Sequence, residues 1–264
     1  MDCNNDSNSS NSMQHNVIDI AIDADSLIFK ACYRHQIESG VNIELAYMEF
    51  CHEIGKIRSA VFKLLPYQKG DFIRPLIVLS PKKTFRNDIS EEYKANRPPV
   101  SIYGIKQLKL MVMHRFGNWA KVVKNVEADD VVIYYARKHR YLVSAIDKDV
   151  IKACPTSCYD FNNRRWEAPR MPYEIEQWYA YQSLIGDTAD NIKGAAGVGE
   201  VTASKWIEKY FGDLFSWSSF VNLFGDDFLA IQAMNLVRMD RLKSLGGELV
   251  HSPWEPFQDD YWDF

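Results

Sequence analysis

The stretch that most constrains how this chain folds is Glu127–Val150, EADDVVIYYARKHRYLVSAIDKDV. Its apolar residues recur at helical spacing from about Asp129 to His139, and a continuous apolar run of strand length, YLVSAI, follows after a tight turn. Glu127, Asp129 and Asp130 open the helix, and Asp147 and Asp149 close the strand. In an α/β unit, strand ends and helix starts share one edge of the sheet, so five carboxylates are expected on one rim. Two readings compete. In one, Asp129 caps the helix, Asp130 complements its dipole and Asp147 caps the next element. In the other, the acids are gathered around a cation.

The remaining strands decide between them. Val17–Ile22 reads as a first strand that delivers Asp23, followed by Asp25 and an apolar helix, SLIFKACY. A second amphipathic helix is expected over about Glu44–Leu65. A strand over Pro75–Leu79 ends at Ser80, and another, KVVKNV at 121–126, ends at Glu127. Strands alternating with helices predict an α/β fold, a mostly parallel sheet with helices on both faces. Such sheets bind ligands beyond the carboxyl ends of their strands. Three of the four expected strands end in a carboxylate, which chance capping does not explain, so the metal reading is favoured.

Composition sets bounds on this picture. A chain of 264 residues with 47% hydrophobic content can bury a large core. No apolar run approaches the roughly 20 residues of a membrane span. The five cysteines are odd in number and lack zinc-ligand spacing, which points to a reduced, cytoplasmic setting. A net charge of −4 argues against a nucleic-acid partner until the acids are placed. Setting aside Asp23, Glu127, Asp129, Asp130, Asp147, Asp149, Asp187 and Asp190 leaves a net positive remainder, and divalent ions held by those acids make the surface tolerable to phosphate.

Between the second and third strands, Lys82, Lys83, Arg86, Lys94 and Arg97 interleave with Phe85, Tyr93 and Tyr103. Cations for phosphate and rings for base stacking suit a single-strand contact surface. A solvated amphipathic helix is the plainer reading, but the stretch rises from the acidic edge, which favours a basic flap over the site. Further on, a Trp/Tyr-rich helix over 173–185 precedes GDTADNIKGAAGVGEVTASKWIEKYFG. Asp187 and Asp190 share a face if this segment is helical. Gly194, Gly197 and Gly199 lead into a helix from about Glu200, and a glycine turn before a helix presents N–H groups and a positive dipole end to a phosphate. Asp226–Leu245 reads as a last helix. Residues 1–16 read as a disordered Asn/Ser tail and 251–264 as an acidic aromatic tail, which leaves a single domain over 17–250.

With these segments in hand, the chain resembles the 5′-nuclease (flap endonuclease) family, which includes free-standing phage 5′–3′ exonucleases and the N-terminal domain of bacterial DNA polymerase I. The likeness rests on IDAD at 22–25, KTFR and YKANRPP within 83–99, VEADDV at 126–131, DKDV at 147–150 and GDTADNIKGAAGVGEVTA at 186–203. No polymerase segment follows, so the free-standing phage type is the expected nearer relative. The resemblance implies a PIN-like sheet with a helical arch (about 82–103) and a helix–three-turn–helix DNA clamp (about 186–212). By position, Asp23, Glu127, Asp129 and Asp130 would serve one metal site, and Asp147, Asp149, Asp187 and Asp190 a second. Tyr93, Lys94 and Arg97 match arch residues that engage the scissile phosphodiester. Lys83 and Arg86 near the arch, with Gly194, Gly197, Gly199 and Lys205 on the clamp, would contact DNA, and a potassium ion would sit at the glycine hairpin.

The implied activity is metal-dependent hydrolysis of DNA, and by extension RNA–DNA, at a free 5′ end or 5′ flap. It would leave a 5′-phosphate and a 3′-hydroxyl. Two magnesium ions would serve it, with manganese as a substitute, in a monomer that meets replication proteins through its C-terminal tail. Two positions depart from the family pattern: Ser80 stands where an Asp is usual, and Val201 where a Lys follows the Glu. Two alternatives stay open on the residues alone. Asp23-Ala24-Asp25, Ser80 and GDTAD suit a haloacid-dehalogenase-like phosphatase, and Ser80 also suits a DNA-structure-binding protein with weakened cleavage.

Overall fold

The computed structural model describes residues 16–38, 40–65, 70–97, 104–210 and 217–256. The expected tails at 1–15 and 257–264, the arch residues 98–103 (Tyr103 among them) and the clamp's end at 211–212 lie outside the described residues.

Strand periodicity makes β1 (Val17–Asp23) the centre of the sheet, with Ile20 and Ile22 buried on one face and Ala21 on the other. Next come α1 (Asp25–Arg34), a small hairpin of β2 (Gln36–Ile37) and β3 (Gly40–Val41), and the long α2 (Ile43–Leu64). The Asn42 side chain caps α2 by accepting from the Leu45 N–H at 3.1 Å. Gly55 lies exposed in the interior of α2, where a Cβ would meet nothing within 4 Å. Relative to alanine it costs about 1 kcal/mol of helix stability.

The chain continues through β4 (Phe72–Leu79), α3 (Phe85–Ile89), α4 (Ile105–Phe116), β5 (Ala120–Val122), α5 (Ala128–His139), β6 (Leu142–Ala145), α6 (Lys148–Ala153) and a hairpin of β7 (Cys158–Asp160) and β8 (Arg165–Glu167). Then follow α7 (Pro172–Ile185), β9 (Gly186–Asp187), β10 (Ile192–Lys193), α8 (Glu200–Tyr210), α9 (Trp217–Phe224), α10 (Asp227–Val237), and the hairpin of β11 (Leu242–Leu245) and β12 (Glu248–His251).

Six strands form the main sheet in the order β5-β4-β1-β6-β7-β8, all parallel except β8. Helices α1, α2 and α4 cover one face, and α5, α6 and α7 the other. A separate cluster joins α7, α8, α9 and α10 through Trp206, Trp217, Phe220 and Trp254. Pro75 is tolerated inside β4 because β5 reaches only Ile77–Leu79, which leaves one side of Pro75 without a strand to pair with. The chain builds from β1 to β4 and β5, then crosses back to place β6–β8 on the other side. This reversal opens a crevice beyond the carboxyl ends of β4, β1 and β6.

Four expectations are corrected. The strand expected at 121–126 stops at Val122, since Asn125 takes a left-handed φ of 60° that a strand does not allow. Glu127 is therefore reached through a loop. The last helix ends at Val237, because Gly246 and Gly247, at φ 58° and 88°, turn LKSL and ELVH into a hairpin. The segment after α7 is a two-stranded turn and not a helix. The fold also runs past 250: His251 lies in β12 and Trp254 is 2% exposed.

Candidate active site

The crevice holds a cleft of about 40 Å³, little more than one water's share of volume, lined by six of the expected acids and by Gln182. Asp23, which ends β1, is 7% exposed, and its Oδ1 accepts from the Asp25 N–H at 3.3 Å. Glu127 takes the N-cap position of α5, yet its carboxylate does not cap. It accepts instead from Lys94 Nζ at 2.7 Å, the Tyr93 hydroxyl at 3.0 Å and Arg86 at 3.4 Å. Asp147 does cap α6, accepting from the Asp149 N–H at 2.7 Å, so for this residue the capping role and the gathering of acids coexist. Asp187 and Asp190 come from the β9–β10 turn, where Asp187 Oδ1 accepts from the Ala189 N–H at 2.7 Å and the Asp190 N–H at 3.4 Å.

Two electrostatic environments result. Burial first, then Asp25 and Asp147, raise the Asp23 pKa to about 7. Burial followed by Asp23 and Asp147 pushes Asp129 well above the usual carboxylate range, and burial with Asp147 raises Asp149 to about 7. Glu127 moves the other way. Burial alone would raise it, but Arg86 and Lys94 outweigh burial and hold it low. The salt bridges of the site go to Glu127, Asp130 and Asp190, while Asp23, Asp129, Asp147 and Asp149 push against one another.

Asp149 Oδ1 and Gln182 Oε1 are buried without a hydrogen-bond partner. Orphaned oxygens beside mutually repelling carboxylates, in a cleft lined by no His or Cys, match the donor set of a hard divalent cation. Among the described residues no three His, Cys, Asp or Glu side chains converge closely enough to cage an ion as they stand. Lys94 and Arg97 occupy Glu127 and Asp190, carboxylates that would otherwise be free to close around one.

The basic stretch reaches this cleft through specific contacts. Thr84 starts α3 by donating its N–H to Asn87 Oδ1 at 2.9 Å. Residues 90–97 then run as turns against the β9–β10 turn. The Lys94 N–H donates to the Asp190 carbonyl at 2.8 Å, Asn96 Nδ2 to the Thr188 carbonyl at 2.6 Å, and Asn191 Nδ2 to the Glu92 carbonyl at 2.8 Å. Arg97 pairs with the Asp190 carboxylate and donates to the Ala189 carbonyl at 3.2 Å. Lys94 has φ 57°, and its Nζ lies 4.8 Å from the centre of the Tyr93 ring. Tyr93 is 4% exposed, and its hydroxyl bonds Glu127 and, at 3.1 Å, Asp190.

Several expected site residues do other work. Arg86 is not placed to touch DNA. It is 2% exposed and forks onto Asp130 at 2.6 and 2.8 Å, while also donating to the carbonyls of Leu236 at 2.7 Å and Arg238 at 2.8 Å. Burial opposes its charge, but Asp130 and Glu127 outweigh burial and raise its pKa. Both Asp130 oxygens are spent on this fork, so Asp130 ties α5 to α3 and α10 behind the cleft. Gly194 answers a steric need: its Cβ would lie 2.3 Å from the Leu184 carbonyl oxygen. Gly197, at φ 76°, and Gly199 face open space before α8, on which Lys205 is exposed. Lys83 is exposed and paired with Asp88 at 2.6 Å. Gly186–Asp187 belong to a separate two-stranded hairpin and end no strand of the main sheet, which removes the acidic loop a phosphatase reading needs.

Ser80 lies just past β4, as expected. Its Oγ accepts the Ala128 N–H at 2.8 Å, so the hydroxyl steadies the start of α5. Its N–H donates to Asp25 Oδ2 at 3.0 Å, and its carbonyl accepts from Lys109 Nζ at 3.0 Å. Sequence reasoning missed Lys109 and Gln182. Lys109 lies in an ordinary basic helix, and Gln182 is a lone amide in an aromatic one; only the packing brings them to the sheet edge.

A parallel sheet that reverses order at β1, with acids at the reversal beneath a basic flap, defines a PIN-like fold. Residues 20–174, more than half of the chain, match the family model described as 5′-3′ exonuclease, N-terminal resolvase-like domain. The chain belongs to this 5′-3′ exonuclease family. It is 30% identical to DNA polymerase I of Rhizobium leguminosarum over 50% of this chain and 14% of that protein. It is 25% identical to a 5′-3′ exonuclease of Buchnera aphidicola over 66% of this chain and 69% of that protein. The chain thus spans a small part of the polymerase relative and about two thirds of the exonuclease. The T5 D15 protein co-crystallised with metal ions superposes with a TM-score of 0.61 at 18% identity, over 85% of this chain and 90% of that chain. The bacteriophage T5 flap endonuclease, solved as a pseudo-enzyme-product complex with DNA and metal ions, superposes at 0.54 with 20% identity, over 85% and 89%. At these identities the two structures establish the fold.

Proposed function

We propose that this chain is a divalent-metal-dependent 5′–3′ exonuclease and flap endonuclease that hydrolyses DNA phosphodiesters to a 5′-phosphate and a 3′-hydroxyl. The observation that carries the reading is the divided site: Asp23, Asp129, Asp147 and Asp149 repel one another beside orphaned oxygens, while Lys94 and Arg97 hold the neighbouring Glu127 and Asp190. Asp23, Glu127 and Asp129 would hold one magnesium ion, and Asp147, Asp149, Asp187 and Asp190 a second. Asp130 orients the first set through α5. When bound, two such ions would supply an activated water and stabilise the leaving oxygen.

This chain's cations do the rest. Lys94 and Arg97 leave Glu127 and Asp190 and place their charge on the non-bridging oxygens of the scissile phosphate as charge builds there. Tyr93 is a positioning residue, its hydroxyl steering Glu127 and Asp190 and its ring carrying Lys94. The N–H groups of Gly197 and Gly199 and the start of α8 receive the duplex backbone, a turn that would also hold the potassium ion of the family pattern, with Lys205 and Lys83 as outer phosphate contacts. RNA–DNA substrates, replication partners met through the acidic tail and a cytoplasmic monomeric state extend the same reading. No helix among the described residues is long and apolar enough to cross a membrane.

The test is product mapping on a 5′-labelled flap DNA beside a free phosphomonoester, each with magnesium, manganese or excess chelator. Flap cleavage that needs the metal supports the reading. Full activity in chelator sinks it, and binding without cleavage under every metal condition leaves a DNA-structure-binding protein.

A further inference from the structure

We infer that the groove between α2 and the β7–β8 hairpin is a second site, one that takes single-stranded nucleic acid; only the class of ligand is borrowed from the nuclease reading. The groove encloses about 770 Å³ and shares no residue with the acidic cleft. Tyr159 and Trp166, whose rings meet at 5.1 Å and 45°, line it with Phe161, and Trp166 is the half-buried ring of the three. His52, Lys56 and Lys63 stand along α2, and Arg164 stands opposite at the hairpin tip. The acid in the groove, Glu53, is 7% exposed and already bonded to Lys56 at 2.7 Å. Lys63 and Arg164 are exposed and make no salt bridge among the described residues.

Two residues facing this groove depart from local conformational preference, Gly55 inside a helix and Arg164 at the end of the turn that joins β7 to β8. Gly55 occupies an ordinary helical position in α2 where an added Cβ would meet nothing within 4 Å, although a helix interior disfavours glycine. Arg164 has φ 54°, a region that glycine or asparagine enters more readily. Its turn is a built one, since Asp160 Oδ1 accepts from the N–H groups of Asn162 at 3.0 Å and Asn163 at 2.9 Å. Departures of this kind collect where a fold serves a ligand. Here they do so from opposite walls of one groove: Gly55 clears a path along α2, and Arg164 is held over it.

A polyanion carrying flat rings fits both features. Its backbone lies along Gly55 and Ser59, Lys63 and Arg164 take phosphates, and a base stacks on Trp166. From His52 to Lys63 the helix rises about 16 Å, room for a few nucleotides. Since β7 runs parallel to β6, the hairpin tip stands at the same sheet edge as Asp147. A strand seated in the groove is thereby directed toward the acidic cleft.

The decisive variant is Gly55→Leu, which removes no native contact and adds a helix-favouring side chain to the groove. It is compared with Lys63→Glu and Arg164→Glu in equilibrium binding of a fluorescent oligothymidylate, followed by anisotropy in chelator so that nothing is cut. Gly55→Leu is expected to melt at or above the wild-type temperature yet bind about tenfold more weakly. Each charge reversal is expected to weaken binding and to flatten the salt slope by about one. Wild-type affinity and salt slope in all three variants overturn the inference, as does a wild type that binds no oligothymidylate. A loss confined to a synthetic peptide of alternating Asp and Trp, with oligothymidylate binding intact, overturns it in favour of a protein ligand. Flap cleavage by the same variants is scored separately. Weakened oligothymidylate binding in a protein that cuts nothing upholds the groove and removes the reading of the acidic cleft.

Discussion

Lys94 bonds Glu127 through its side chain and Asp190 through its backbone N–H, so one residue links the flap to both halves of the acidic site. Lys94→Ala is expected to slow single-turnover flap cleavage by about a hundredfold, the scale of losing one electrostatic stabiliser, while flap affinity falls much less. Equal losses in rate and affinity would make Lys94 a plain phosphate contact. The adjacent acids Asp129 and Asp130 are expected to behave differently. Asp129→Asn should fold like the wild type and lose metal-dependent cleavage. Asp130→Asn leaves Arg86 buried and under-compensated, which costs about 3–5 kcal/mol, and thermal melting will show the drop before any assay of cutting. If the two variants melt alike, Arg86 has another counterion. Ser80→Ala should lose only the bond to Ala128, about 1 kcal/mol, whereas Ser80→Asp is expected to lower the magnesium concentration at half-maximal cleavage. An unmoved magnesium midpoint in Ser80→Asp would place that side chain outside the metal's reach.

Segment 90–97 and the β9–β10 turn behave as one latch at the scale of elements. Five hydrogen bonds and the Arg97–Asp190, Lys94–Asp190 and Lys193–Glu92 pairs join them. The latch draws on Glu127 and Asp190, one carboxylate from each of the two proposed metal sets. Metal and latch therefore compete, and magnesium is expected to raise amide hydrogen exchange at residues 90–97, the Lys94 amide above all. Asn96→Ala should show part of that rise without metal. Unchanged protection across a full magnesium titration would mean that the ions enter without moving the flap.

Across the whole molecule, the gathered acids set the pH dependence of stability. Asp23 and Asp149 titrate near 7 in the fold against a usual 3.8. The folded chain then binds more protons than the unfolded one between those values, so stability falls as pH rises through that window. The metal-free protein is expected to melt higher at about pH 5 than at about pH 7.5, and magnesium should add more at the higher pH, where the carboxylates are ionised and free to bind it. Scanning calorimetry with and without magnesium checks both. A melting temperature that rises with pH in chelator would mean that other groups outweigh the two aspartates.

What the sequence determined by itself was local and periodic. Alternating apolar runs and helical spacing were enough to place β1, α1, α2, α5 and β6 within a residue or two, and strand ends bearing Asp23 and Asp147 were enough to put acids on one edge. The helix expected over Asp226–Leu245 ran on into LKSL, whose pairing with ELVH across Gly246-Gly247 the structure supplied. The tertiary structure alone decided which acids face the cleft. Asp129 and Asp130 are adjacent on one helix, and a turn of about 100° between neighbours sends one to the rim and the other to a buried arginine. Arg86 reads as a surface cation in a basic run until Leu236 and Arg238, some 150 residues away, supply the carbonyls that bury it. The groove at Gly55 and Arg164 is likewise a meeting of segments remote in sequence. Periodicity reports which face of an element is apolar, but the partner across a contact is fixed by the sheet order, and no local pattern encodes that.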